Sequence, residues 1–442
     1  MQVLRPRFFA RIGLTAIWIL AAAVPLWADN WPQWRGPEGN GISRESNLPL
    51  VWTKTSGIAW QCPLPRWGDS TPAIWGDAIF VTTQIDNQKL LLLRISKKTG
   101  QIQWTRQVGA AACPHVPVHL KANEQRRHQW FQDCQNFASP SPVTDGEVVI
   151  VHFGNGDLAA YDFDGGQLWR HNLQQDYGDY TVWWGHANSP VLSEGLVISI
   201  CIQDSCADLP GKPSPSYVVA HDKRTGRERW KTMRMTAATK ESCDSYCTPI
   251  LWKNGNRTEL AVMGGQVLDA YDPATGKRLW HLPDLIGNRT ITGPVAALGM
   301  IYVTQGMQRP LLAVRPDGDG RRPRADIVWQ LPQGTPDSPT PVVWGQSLVL
   351  VTNDGIARCL DATTGRLQWK ERLKGNYRAS PLAADGRIYF LNTQGFTTVV
   401  AASPRFSRLT ENQLDDDTLA SPVVSDGHLF IRGWKALYCL GK

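Results

Sequence analysis

A chain of 442 residues with 42% apolar and 19% charged side chains has globular composition, which excludes a disordered chain. Its formal charge of +7 falls to about +4 once three N-terminal arginines are set aside, and no long basic run appears, so nothing points to nucleic acid. The 39 Gly, 30 Pro and 20 Trp fit many short strands separated by turns.

The chain opens with Arg5, Arg7 and Arg11, then an apolar run over residues 12–24 and Leu26-Trp27-Ala28. Positive start, short apolar stretch and small residue at the end predict a signal peptide over residues 1–28. The protein is therefore expected to be exported, periplasmic or extracellular. The apolar run is short for a membrane span. Retention as an uncleaved anchor stays open. No Cys follows until Cys62, so no lipid-attachment site is expected. Residues 29–56 are read as an N-terminal extension and residues 57–442 as one repeat body.

Eight units follow, each opened by a small residue and Pro: Thr71-Pro72, Ser141-Pro142, Ser189-Pro190, Thr248-Pro249, Gly293-Pro294, Thr340-Pro341, Ser380-Pro381 and Ser421-Pro422. Turns such as Trp75-Gly76-Asp77 and Ala384-Asp385-Gly386 come next, then runs such as Val148-Val149-Ile150-Val151 that read as strands. The second half of a unit carries an Asp, a Gly four residues on and a Trp four beyond that, as in Asp222, Gly226, Trp230; Asp272, Gly276, Trp280; and Asp361, Gly365, Trp369. Asp and Gly flank a tight hairpin turn, where Asp accepts turn N–H groups and Gly takes positive φ. The Trp falls on the outer strand, placed to stack on the next repeat. Trp60, Trp104, Trp169 and Trp329 fill the same role, Trp329 after an insertion, while the seventh unit offers Leu409 instead. A four-stranded sheet cannot bury both faces alone, so the units are expected to stack radially.

The last unit stops one strand short. Residues 57–64 read as the missing fourth strand, which would close the ring and remove an edge. The expectation is an all-β, eight-bladed propeller with four-stranded antiparallel blades, closed by an N-terminal strand in the last blade. Cys62 and Cys439 would then lie on adjacent strands, bridged or simply packed in the core.

Nine cysteines in an exported chain permit disulfides, and an odd number leaves at least one outside any intrachain pair. Candidate pairs are Cys113–Cys134, Cys201–Cys206 and Cys243–Cys247, each bracketing a predicted loop. Cys113, His115, His119, His128 and Cys134 share one insertion, open to a disulfide, a zinc site or an ordinary polar loop. Their spacing matches no common structural-zinc pattern, and no metal is expected. Arg321, Arg322 and Arg324 read as a solvated turn, as do Asp415, Asp416 and Asp417. No phosphate loop or Ser-centred nucleophile elbow appears.

The pattern Ala-x-Asp-x-x-x-Gly-x-x-x-Trp, at residues 220–230 and 270–280, resembles the tryptophan-docking motif of pyrroloquinoline-quinone (PQQ)-like propeller repeats. The resemblance covers about residues 57–442. Asn30-Trp31-Pro32-Gln33-Trp34-Arg35-Gly36-Pro37 is similar to the start of exported bacterial members. So are Asn376-Tyr377-Arg378-Ala379-Ser380-Pro381 and Glu411-Asn412-Gln413-Leu414-Asp415-Asp416. That family implies either a quinoprotein dehydrogenase, with PQQ and calcium, or a non-catalytic propeller such as the outer-membrane-protein assembly factor. Fold alone does not choose between them. The dehydrogenases carry neighbouring cysteines that form a disulfide over the quinone. This chain has no Cys-Cys pair, no Cys-x-x-Cys-His for haem, no mappable Glu/Asn/Asp set, and is shorter.

The reading is an exported, non-catalytic scaffold that binds another exported or envelope protein or a ligand, with no cofactor. The alternatives are a divergent PQQ-dependent dehydrogenase, with PQQ and calcium, and a carbohydrate-binding propeller. Candidate binding residues lie just before each small–Pro step, at the expected rim of the central channel: Asp69, Asn136, Trp183, Trp184, His186, Asp244, Arg289, Asp337, Tyr377 and Arg378. Aromatic and Arg side chains concentrate in binding hot spots.

Overall fold

The structure is a computed structural model that describes residues 30–86, 88–111, 135–206 and 215–441. The leader, Cys113, Cys134 and the three histidines between them lie outside the described residues. Among the described residues no helix is long and apolar enough to cross a membrane.

Eight sheets form an eight-bladed β-propeller. Blade one runs Ala73–Trp75, Ala78–Ile85, Lys89–Ser96 and Ile102–Gly109 from the inside outward. The later blades repeat this order. The second and third strands are covered on both faces by neighbouring blades. They therefore read as continuous apolar runs such as Val148–His152 and Tyr217–Asp222. The seams between blades hold the core: Ile79, Val81 and Leu93 of blade one meet Phe430 and Leu437 of blade eight. Each such side chain contributes about 1.5–3 kcal/mol.

The ring closes as the missing strand implies. Ile58–Pro63 pairs antiparallel with Ala436–Leu440, with Trp60 opposite Cys439 and Cys62 opposite Leu437. The two cysteines share the pair of strands but do not face each other, and both are free and buried. The other describable bridges are not formed either. Cys201 is a free buried thiol. Cys243 Sγ lies 3.3 Å from Ala238 O, and Cys247 Sγ lies 3.0 Å from Thr292 O, so each packs against backbone rather than against the other.

The tryptophan spacing acquires a mechanism. Six of the indole Nε1 groups donate to a carbonyl in the turn just past the Asp position of the next blade. Trp60 reaches Lys97 O at 2.9 Å, Trp104 reaches Phe163 O at 3.0 Å, and Trp169 reaches Lys223 O at 2.9 Å. Trp230 reaches Pro273 O at 3.1 Å, Trp329 reaches Ala362 O at 2.9 Å, and Trp369 reaches Ser403 O at 3.1 Å. In four of these pairs the ring lies over the motif Gly of the next blade: Trp60 over Gly100, Trp169 over Gly226, Trp230 over Gly276 and Trp329 over Gly365. At Gly226 (φ +71°) and Gly276 (φ +72°) an added Cβ would sit 2.7 and 2.3 Å from the neighbour's indole.

Trp280 departs from the expected docking. Its Nε1 donates to Glu259 Oε2 of its own blade at 2.7 Å. The reason lies in blade five, where the short turn is replaced by the insertion between Val314 and Ile327. Gly320–Arg321 from that insertion instead adds a fifth, parallel strand to the outer edge of blade four, beside Trp280 and His281. Blade seven needs no Trp for a related reason. The third and fourth strands of blade eight come from opposite ends of the chain, so no continuous turn exists there to receive one. Gly441 N donates to Gly57 O at 3.1 Å in its place.

Candidate functional site

The small–Pro steps form a belt around the channel. The N–H of each small residue donates to the hydroxyl of the next blade's: Thr71 to Ser141 (2.9 Å), Ser141 to Ser189 (2.9 Å) and Ser189 to Thr248 (3.0 Å). The belt resumes from Gly293 to Thr340 (2.9 Å), Thr340 to Ser380 (2.9 Å) and Ser380 to Ser421 (3.0 Å). At blade five the small residue is Gly293, which offers no hydroxyl to Thr248. Trp34 lies there instead, its ring 3.0 Å from where a Cβ would stand.

Trp34 belongs to a strap that crosses the end of the channel where the inner strands finish. Trp31 exchanges backbone hydrogen bonds with Ile74 of blade one (2.9 and 2.8 Å), and Thr144 N of blade two donates to Pro32 O at 2.8 Å. The buried Arg35 guanidinium donates to Thr340 O at 3.0 Å and Pro381 O at 3.4 Å in blades six and seven, and to Asn40 O at 2.6 Å in the strap itself. Ser43 N donates to Ala383 O at 3.0 Å. Glu45 accepts the Asp426 and Gly427 N–H groups of blade eight at 2.7 and 2.6 Å. Residues 30–52 thus tie distant blades together and floor the channel with an indole.

Among the described residues, nothing covers the opposite end, where the inner strands begin. A cavity of about 370 Å³ at this mouth is lined by Asp69, Gln135, Ser139, Trp184, Ala187, Tyr246, Arg289, Ile291, Asp337, Ser338, Arg378 and Leu419. Below it a chamber of about 140 Å³ reaches the belt hydroxyls and Trp34. The residues common to both levels follow one rule. Asp69, Ser139, Ala187, Tyr246, Ile291, Ser338, Arg378 and Leu419 each stand two residues before the small residue of their blade. Extended backbone puts residues two apart on one face, so this position and the small residue both face the lumen.

The expected rim residues therefore divide. Asp69, Trp184, Arg289, Asp337 and Arg378 line the well. Asn136 is a loop clamp: its Nδ2 donates to Trp67 O at 3.1 Å, and its Oδ1 accepts Ala138 N at 2.9 Å. His186 is buried against Tyr180, with ring centroids 4.8 Å apart, and its Nε2 lies 2.9 Å from Ile200 O. Burial pushes its pKa down to about 4, so the ring stays neutral. Tyr377 is fully buried, and its hydroxyl donates to Lys374 O at 3.0 Å. Trp183 and Asp244 meet each other behind the rim, where Trp183 N donates to Asp244 Oδ2 at 2.9 Å. Burial raises Asp244 to about 8. Ser139, Ala187, Tyr246, Ile291, Ser338, Leu419 and Trp34 escaped sequence reasoning. The constant offset of two from the small residue is the signal that would have found all but Trp34.

One side of the mouth is a compact ionic and aromatic patch. Arg289 lies over the Trp184 ring at 5.6 Å and donates to Glu241 Oε1 at 3.0 Å; Trp184 Nε1 donates to the same oxygen at 2.9 Å. Asp337 stands 3.9 Å from Arg289, and Arg378 donates to Ser338 Oγ at 2.9 Å. Deeper, Asp69 has its Oδ1 without a hydrogen-bond partner and its pKa raised to about 7 by burial, against a weaker opposing pull from Arg432. An Asp whose folded pKa lies above its ordinary 3.8 favours folding below that window, and its contribution is lost as pH rises through it to about 7. Asp69→Asn is expected to gain stability relative to the parent between those values, with a constant gain above. Melting temperatures at pH 5 and pH 8 check this; equal differences at the two pH values would refute it.

Calcium takes six to eight oxygen ligands, and PQQ carries three carboxylates that need cationic partners. Among the described residues no three His, Cys, Asp or Glu side chains converge to hold a metal ion. Arg289 is already engaged by Glu241.

Solved structures share the architecture. BamB from Moraxella catarrhalis matches over 87% of this chain and 99% of its own, at 13% identity and a TM-score of 0.56. A quinohemoprotein alcohol dehydrogenase from Comamonas testosteroni matches over 94% and 81%, at 12% identity and 0.63. A europium-containing methanol dehydrogenase matches over 91% and 89%, at 11% identity and 0.65. Likeness at these identities is one of fold, and it embraces proteins with and without "dehydrogenase" in their names. No curated protein matches the sequence. The family described as outer membrane protein assembly factor BamB matches residues 43–202, 118–283 and 264–410. These overlapping stretches take in most of the ring, and the chain belongs to that PQQ-like repeat family.

Proposed function

We propose that the chain is an exported, non-catalytic scaffold whose channel mouth binds another protein of the cell envelope. The observation that carries this reading is the mouth itself. Trp184, Arg289, Glu241, Asp337 and Arg378 gather on the open end of a channel whose other end is floored by the strap. Arg and aromatic groups of this kind anchor protein interfaces. The family name, with its assembly factor, supports the same reading, as does the N-terminal leader pattern for the envelope location.

A photo-crosslinking side chain at Ser338, on the mouth, is expected to capture a discrete envelope protein in cells. The same side chain at Leu409, on the outer edge of blade seven, is not. Arg289→Glu should abolish the Ser338 product while leaving the melting temperature within a few degrees of the parent. Equal capture from both positions would overturn the assignment of the mouth. The dehydrogenase alternative is tested by titrating the purified chain with PQQ and calcium. A ligand at one hundred times its dissociation constant stabilises the native state by about 2.7 kcal/mol, which raises the melting temperature by several degrees. No rise is expected, and a saturable rise would revive dehydrogenase chemistry.

A further inference from the structure

The chamber beneath the mouth has a chemistry of its own. Ser141, Ser189, Thr248, Ser380 and Ser421 line it, and each hydroxyl already accepts a backbone N–H from the preceding blade. Among the described residues none of these five hydroxyls donates a hydrogen bond, so each keeps a proton for the lumen. Above them stands the guanidinium of Arg378, held by Ser338. Asp69 lines the same space, its Oδ1 buried and unpartnered. Ser139 Oγ donates to Asn136 O at 2.8 Å, with Asp69 Oδ2 a second, longer acceptor at 3.3 Å. Trp34 supplies an apolar floor. The chamber is rich in donors and closed at one end.

We propose that this lower chamber is a binding site for one small carboxylate, entered from the mouth and held by Arg378 and the belt hydroxyls. The inference rests on the reading of the mouth as a binding face, and it adds the class of ligand that sits beneath it. A carboxylate supplies several acceptor lone pairs, which matches a ring of donors, and Arg378 offers the charge-assisted contact. Among the described residues lining the chamber, an ammonium ligand would find only Asp69 to neutralise it while facing Arg378. The pH dependence follows from the groups around Asp69. Arg432 lies behind it, Ser139 beside it, and Arg378, Arg289 and Asp337 share the lumen above. Ionised Asp69 repels a carboxylate, so affinity should fall as pH rises through about 7.

The test is calorimetric titration of the full mature chain with acetate and with succinate, at constant ionic strength, at pH 6 and pH 8. Saturable binding of at least one probe is expected, weaker at pH 8. Arg378→Gln should weaken it roughly tenfold, the loss of one charge-assisted contact. Asp69→Asn should remove the pH dependence while keeping the affinity, a readout that a merely structural role would not move. Circular dichroism and melting of each variant establish that it is folded. Absence of saturable binding by both probes would overturn the proposal. So would binding untouched by Arg378→Gln, or tetramethylammonium binding that strengthens at pH 8. Capture of a partner from Ser338 together with no carboxylate binding would remove this inference alone and leave the scaffold reading in place.

Discussion

Arg35→Ala is expected to release the strap and to lower stability by roughly 4 kcal/mol, because a charged donor hydrogen-bonded to buried carbonyls is lost and those carbonyls are left without partners. Arg35 is fully buried, and burial pulls its pKa down to about 9, so its charge is held in place by the carbonyls of Thr340, Pro381 and Asn40. The loss should be local first. Amide exchange should accelerate across residues 30–52 before it does in the second and third strands of the blades. Trp34 should leave the channel with the strap and open a second entrance. An unchanged exchange pattern in the strap, with an unchanged melting temperature, would show that the packing of Trp31 and Trp52 holds it without Arg35.

Gly276→Ala should cost about 3 kcal/mol, from two separable causes. Alanine at φ +72° is strained by roughly 1 kcal/mol, and its Cβ would stand 2.3 Å from the Trp230 ring, forcing blades three and four apart. Gly299→Ala isolates the first cause. Its φ is +70°, but nothing lies within 4 Å of the added Cβ. Denaturant unfolding of the two variants should therefore differ by about 2 kcal/mol. Equal losses would mean that backbone strain alone sets the glycine and that the docked indole yields freely.

The inside of the well was only partly legible. Asp69 and Arg378 were found because residues just before each small–Pro step were expected at the rim. Ser139, Ala187 and Ile291 were missed because nothing in their chemistry marks them, and only the strand period ties them to the lumen. Tyr377 and His186 were read as rim residues because they stand just before the same steps. Both turn the other way, into the seam between blades, since neighbouring residues in extended backbone face opposite sides.

Repeat spacing determined the ring. The Asp, Gly and Trp positions, the small–Pro steps and the orphan strand at residues 57–64 are local or periodic features, and each has one geometry that satisfies it. The eight blades, their order and the closure of the last one were therefore present in the amino-acid sequence. Only the tertiary structure decided the exceptions and the well. Trp280 turns to Glu259 because an insertion in a different blade removes its docking turn. Trp34 enters the channel because Gly293, far along the chain, leaves room for it. Asp69 has its pKa raised because the folded ring surrounds it. Each of these depends on groups brought together from distant parts of the chain, and no local pattern records such a meeting.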